Sequence, residues 1–300
     1  MASLVHVGPR RLGSLGEIGP LAYGQWRYTT DDVPVAQGLL ETALGAGMNL
    51  IDTADVYGLD FGGSSFGQCE ALLGRVLAVA PHLREQIVLA TKGGIRPPTP
   101  YDSSPDALRD ACEASLRRLG VETIDLYQIH RPDMFTHPAD VAATLAELRA
   151  SGKIREVGVS NHTPAQVDAL RAHLSFGLVS NQPELSAAHL DPLRDGTLDA
   201  CMREGITPLA WSPLAGGRLA TGQGVRGELI DVLNELAARE GVERTAIALA
   251  FVLAHPSQPV AIIGTQRAER ISAAVAALRV DLNRADVYRI VQASEGVPLP

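Results

Sequence analysis

Short apolar or β-branched runs recur along the chain, and each is followed by a longer segment with apolar residues at helical spacing. Residues 20–23, 49–52, 87–92, 123–130, 156–161, 178–182, 207–212 and 259–264 are the predicted strands, with helices between them. Ser104 followed by Pro105, and Thr163 followed by Pro164, read as helix N-caps with proline at the first helical position. Gly120, Gly152 and Gly205 read as helix ends that take the left-handed conformation. Regular alternation of strand and helix implies a parallel sheet, and eight repeats are the number that closes a (β/α)8 TIM barrel. The competing fold is an open doubly wound sheet. It is disfavoured because no strand runs into Gly-x-Gly-x-x-Gly and no Gly-x-x-x-x-Gly-Lys-[Ser/Thr] loop occurs. The expectation is one barrel domain over residues 1–300, its active site at the C-terminal ends of the strands and its bottom closed by a β-hairpin within residues 4–15.

Composition narrows the function. With 46% hydrophobic and 20% charged residues in 300, the chain is expected to bury a sizeable core. Its net charge of -8, with no basic stripe, argues against a grip on nucleic acid. The longest apolar run, 246–254, is far short of the ~20 residues of a membrane span and reads as a buried helix. Arg10, Arg11 and Glu17 interrupt the first 19 residues, so no signal peptide is read there. Three scattered cysteines, Cys69, Cys112 and Cys201, fit a reduced, cytoplasmic protein. No histidine or cysteine pair has metal-ligand spacing, so no metal is expected. Cys69 reads as a small helix-start residue rather than a redox-sensitive one.

In a barrel of this class the ends of the strands carry the chemistry. The second predicted strand ends in Asp52 and runs on to Tyr57, the third ends in Lys92, and the fourth in His130. A phenol is a weak acid, but an ammonium ~4 Å away stabilises the phenolate by ~4 kcal/mol at a dielectric of ~20. That is roughly three pKa units before desolvation takes some back, which brings Tyr57 into the working range of a general acid. Asp52 would hold Lys92 charged, and His130 would orient a carbonyl oxygen. Singly, these residues read as a turn cap, a rim aromatic, a strand-end cation and a core histidine. Jointly, at the ends of three consecutive strands, they are improbable as accident. Lys92 adds weight, because only it and Lys153 are lysine among 26 basic residues.

The segments Asp52-Thr53-Ala54-Asp55-Val56-Tyr57-Gly58, Ala90-Thr91-Lys92, Gln128-Ile129-His130-Arg131-Pro132-Asp133, Gly158-Val159-Ser160-Asn161 and Ile262-Ile263-Gly264-Thr265 resemble the aldo-keto reductase family. The resemblance runs in order over almost the whole chain. It implies a barrel that reduces carbonyls with NADPH through an Asp, Tyr, Lys, His tetrad, placed on Asp52, Tyr57, Lys92 and His130. It also implies a cofactor site. Gly24 at the end of the first strand belongs to it. Ser160, Asn161 and Gln182 would hold the nicotinamide carboxamide and Trp211 would stack on the ring. Ser212, Leu214, Gly216 and Arg218 would cover the pyrophosphate, with Gly264, Thr265, Gln266, Arg267 and Arg270 at the 2′-phosphate of NADP. A guanidinium suits that phosphate, whereas a free ribose would meet a carboxylate.

Two departures from the family pattern bear on specificity. Residues 58–68 form a longer loop than usual, and its Phe61 and Phe66, with Trp26, are candidate walls of the substrate pocket. The acid and Asn that commonly contact the adenine are Ala273 and Ala274 here, which points to weaker cofactor affinity. The expected partner is a small carbonyl compound, with a monomer plausible and the oligomeric state left open. Three other readings remain: a Schiff-base lysine at Lys92, an NADP-sensing regulatory subunit, and a sugar or alcohol dehydrogenase working in the oxidative direction.

Overall fold

Eight parallel strands close on themselves in the computed structural model, which describes residues 3–59 and 63–299. A short antiparallel hairpin, β1 (Arg10–Arg11) and β2 (Glu17–Ile18), precedes them. The barrel strands are β3 (Leu21–Gly24), β4 (Leu50–Asp52), β5 (Val88–Gly93), β6 (Ile124–Ile129), β7 (Ile154–Ser160), β8 (Ser180–Gln182), β9 (Thr207–Ala210) and β10 (Val260–Ile263). They pair in sequence order, and β10 returns to β3 to complete the ring. No helix among the described residues is long and apolar enough to cross a membrane.

Side chains two apart on a strand share a face, and this period sorts the barrel interior. Ala22, Leu50, Val88, Ala90, Leu126, Leu209, Val260 and Ile262 point inward and form one buried cluster. Two residues further along the same faces stand Asp52 after Leu50, Lys92 after Ala90, and Gln128 then His130 after Leu126. The interior is therefore apolar below and polar at the mouth. Leu12 and Ile18 of the hairpin close the bottom against the apolar layer. A second, larger cluster packs the outward faces of the strands against the surrounding helices.

Helix starts follow local chemistry. Thr163 and Gln166 form a reciprocal capping box at the helix Pro164–Arg171. Asp32 caps Val33–Gly45 by accepting from the Val35 amide at 3.0 Å. Ser104 lies at its predicted N-cap, yet its hydroxyl makes no capping bond. Gly120 and Gly205 cap their helices with φ of 65° and 66°, and Gly152 (φ 77°) lies one residue beyond its cap. The apolar run 246–254 is buried, inside the helix Arg244–Leu253 and its cap.

The differences from the sequence reading lie at element ends. The hairpin falls at residues 10–18 rather than within 4–15, because its strands are only two residues long and carry Arg10, Arg11 and Glu17. Strands predicted to reach Asn161 and Ser212 stop at Ser160 and Ala210. Asn161 (φ 56°) and Ser212 (φ 53°) take left-handed backbone and leave the sheet. Strand β7 starts at Ile154, two residues earlier than expected.

Candidate active site

Register brings the polar layer together. Asp52 lies beside Ala90 and Lys92 beside Gln128, so the carboxylate, the ammonium and the segment reaching His130 come from three adjacent strands. Lys92, completely buried, donates from Nζ to Asp52 Oδ2 at 2.7 Å, to the Thr53 carbonyl at 2.9 Å and to the Tyr57 hydroxyl at 3.2 Å. Asp52 Oδ1 accepts from Gln182 Nε2 at 2.9 Å and from Gln128 Nε2 at 3.3 Å. The rings of Tyr57 and His130 meet edge to face, with centroids 5.7 Å apart. All four predicted tetrad residues thus occupy one cluster.

The electrostatics assign a protonation state to Lys92, His130 and Tyr57. Burial works to lower the Lys92 pKa, but Asp52 and Tyr57 together outweigh it and the net direction is upward. Lys92 is an ammonium, which removes the basis of a Schiff-base role. Burial, joined by the charges of Lys92 and Arg131, holds His130 well below the usual imidazole range, so the ring is neutral. Its Nδ1 is buried without a partner. Tyr57 corrects the sequence reading. Lys92 does draw the phenol down, but burial of the ring is the larger influence and the net direction is upward. Tyr57 therefore rests in its protonated form.

A second set of bonds links the expected cofactor residues to one another. Ser160 Oγ donates to the Gln182 carbonyl at 2.9 Å and accepts from Asn161 Nδ2 at 2.7 Å. Trp211 Nε1 donates to Asn161 Oδ1 at 2.9 Å. Ser212 Oγ accepts from the Gly216 amide at 2.8 Å, and Arg218 Nε donates to the Ala215 carbonyl at 3.0 Å. Leu214 is half-buried and packs against the outer core. Gly24 stands at the mouth, where a Cβ would fall 2.7 Å from Ile262 Cγ2. Gly264, Thr265 and Gln266 follow β10 and are half-buried. Arg267 and Arg270 are exposed, and neither guanidinium has a partner among the described residues. Four non-glycine residues have positive φ among the described residues, and three of them, Asn161, Ser212 and Ala215, lie in this region. Such backbone is costly and collects at binding sites.

The pocket candidates fare differently. Trp26 is half-buried, with the Arg27 guanidinium 5.6 Å from its ring centroid. Phe66 lies against Arg118 rather than the tetrad, and both line a cavity of about 170 Å³ with Asp55 and Ile95. Phe61 falls outside the described residues. Cys69 is buried, its thiol pushed up to about 12 by desolvation, and is inert at neutral pH.

Two features escaped the sequence reading. Gln128 supports Asp52, and its signal was its place two residues before His130 on the same strand face. The other is a clamp behind the site. Glu70, fully buried on the helix Gln68–Val79, accepts from Thr91 Oγ1 at 2.5 Å and from Arg118 Nε at 2.7 Å. The loop before that helix is tied at both ends, by Ser65 N to the Gly58 carbonyl at 3.1 Å and Cys69 N to the Tyr57 carbonyl at 3.3 Å.

His162, buried beside Ser160, makes stability depend on pH. Desolvation pulls it down to about 4, although the Ser160 carbonyl favours its proton. Between about 4 and the unfolded value of about 6.5 the unfolded chain binds more protons, so stability is full above that window and falls as pH drops through it. The loss is about 3 kcal/mol. Urea titrations at pH 7.5 and 4.5 are expected to show a smaller acid loss in His162→Gln than in the parent protein, by about that amount.

Fold and site define a (β/α)8 barrel with its ionisable groups gathered at the C-terminal mouth. Residues 20–295 match the model of the Aldo/keto reductase family, and the chain belongs to that family. It is 48% identical over 295 residues to the 6-dehydroglucose reductase of Novosphingobium aromaticivorans, covering 97% of each chain. It is 38% identical over 296 residues to the Escherichia coli oxidoreductase YdhF, covering 95% of this chain and 96% of that one. Among solved structures it is similar to the thermostable aldo-keto reductase Tm1743 in complex with the inhibitor epalrestat. There the TM-score is 0.81 at 27% identity, covering 95% of this chain and 99% of that one.

Proposed function

We propose that the protein is an NADPH-dependent carbonyl reductase in which Tyr57 is the general acid. The observation that carries this reading is the Lys92 ammonium, held by Asp52 and donating to the Tyr57 oxygen at 3.2 Å. Because Lys92 donates to that oxygen, the phenolic hydrogen is left for another acceptor, the substrate carbonyl oxygen. As the proton leaves, negative charge develops on a phenolate beside the ammonium. At 3.2 Å and an effective dielectric of about 20 their attraction is about 5 kcal/mol. Neutral His130, in its Nε2–H tautomer, donates to the same carbonyl oxygen and orients it.

The cradle fits a dinucleotide phosphate. It offers three strained non-glycine residues, the open Gly216 and Gly217 turn, and two unpartnered guanidiniums at Arg267 and Arg270. NADPH would be held by Ser160, Asn161, Gln182 and Trp211 at its nicotinamide and by Arg267 and Arg270 at its 2′-phosphate, and it supplies the hydride. In this structure Gln182 and Asn161 bond Asp52 and Trp211, so binding would exchange or share those bonds. Two relatives named 6-dehydroglucose reductase, 48% and 37% identical, favour a hydroxylated, sugar-like aldehyde as substrate and reduction as the direction.

The test is loss of reduced cofactor with a panel of aliphatic, aromatic and sugar aldehydes. Consumption of NADPH well above NADH is expected, and no consumption of either would overturn the reading. Arg270→Ala is expected to weaken NADPH binding roughly tenfold while moving NADH binding little, since a charge-assisted bond is worth about 1.5 kcal/mol or more. Cofactor fluorescence titration measures both.

A further inference from the structure

Most arginines in this chain are paired with carboxylates or backbone carbonyls. Those with no side-chain hydrogen bond or ion pair among the described residues are exposed, with one exception. Arg131 is half-buried, and its contact is with a ring: its guanidinium lies 5.6 Å from the centroid of Trp211. Its nitrogens are not among the buried polar atoms that lack a partner, so its N–H groups have no protein acceptor and stay open to a ligand that supplies one.

Its surroundings indicate which kind. Arg131 follows His130 directly, and its charge is one of the influences that keep that imidazole neutral. In this structure the Trp211 indole donates to Asn161, whose own amide reaches the His130 carbonyl at 3.5 Å. The cation–π contact therefore holds the guanidinium at the rim of the carbonyl site and leaves its N–H edges unused. Nearby, Lys92 is compensated by Asp52 and His130 is uncharged, so Arg131 brings an uncompensated positive charge to this cluster.

The geometry points to Arg131 as the residue that selects the substrate: it receives a hydrogen-bond-accepting oxygen, hydroxyl or carboxylate, borne on the substrate chain beyond the reacting carbonyl. The assignment rests on the reductase reading above and narrows it to oxygen-rich aldehydes. A site built to bond such an oxygen discriminates against the analogue without it far more than a hydrophobic pocket does.

The test compares butanal, glyceraldehyde and succinic semialdehyde as substrates, with NADPH binding followed separately by fluorescence. Arg131→Met retains the stem over Trp211 and removes the donors; Arg131→Lys retains the charge without the planar fork. The parent protein is expected to prefer at least one oxygenated aldehyde over butanal by about tenfold or more. In Arg131→Met that ratio of kcat/KM falls at least tenfold, mainly through KM, with partial recovery in Arg131→Lys. A fall confined to glyceraldehyde identifies a hydroxyl ligand, and one confined to succinic semialdehyde a carboxylate. An equal fall for all three aldehydes, an unchanged ratio, or a loss seen in NADPH affinity instead would overturn the assignment while leaving the reductase intact. No turnover by the parent protein would overturn the reductase reading, and this assignment with it.

Discussion

Replacing Tyr57 with Phe is expected to lower kcat by roughly 10²- to 10⁴-fold, the range removed with a positioned general acid. The fold should tolerate the change. Tyr57 is half-buried, and Lys92 keeps both Asp52 and the Thr53 carbonyl as acceptors when the phenol oxygen is gone. NADPH affinity should stay within about twofold, because no bond between Tyr57 and a cradle residue is present among the described residues. Steady-state kinetics and a cofactor titration separate the two effects. A variant that retains activity within a few-fold would remove Tyr57 from the chemistry and leave His130 as the donor to consider.

The largest effect on stability is expected at Lys92. Methionine there leaves Asp52, itself buried, as a carboxylate with only the amides of Gln128 and Gln182 to bond it. Breaking a buried pair from one side costs about 3–5 kcal/mol, a large part of the stability of an ordinary domain. Adding Asp52→Asn to Lys92→Met should recover most of the loss, since a neutral amide can still accept from Gln182. Activity should remain absent in both proteins. Urea denaturation of the single and double variants measures the coupling. Equal stability of the two would show that Asp52 is not a stranded charge when Lys92 is gone.

The inward-facing polar residues are legible in the sequence because of strand periodicity. Leu50 and Asp52, Ala90 and Lys92, and Leu126 and His130 each lie an even number of positions apart, so strand periodicity alone places the polar member on the inner face. Strand ends were less legible. Asn161 and Ser212 read as continuations of their strands, but their backbone turns left-handed, a choice that no side-chain pattern announces. The direction of the Tyr57 shift is not legible in the sequence, because the attraction of Lys92 follows from a spacing, whereas the opposing burial depends on everything that packs round the ring. The Glu70 clamp joins residues 21 and 48 positions apart, and nothing local marks such a pairing.

That clamp bears on how the site can vary. Tyr57 sits at one end of the loop and Glu70 just past the other, while Thr91 on β5 is the immediate neighbour of Lys92. Tyr57 and Lys92 are thus anchored independently of what lies between residues 58 and 65, whose ends are already joined. Closing a longer loop costs little more entropy than closing a shorter one. Insertions and deletions in this segment can therefore be accommodated while the bond between Lys92 and Tyr57 stays fixed. In evolutionary terms the barrel can keep its polar cluster constant while a neighbouring stretch of chain drifts in length.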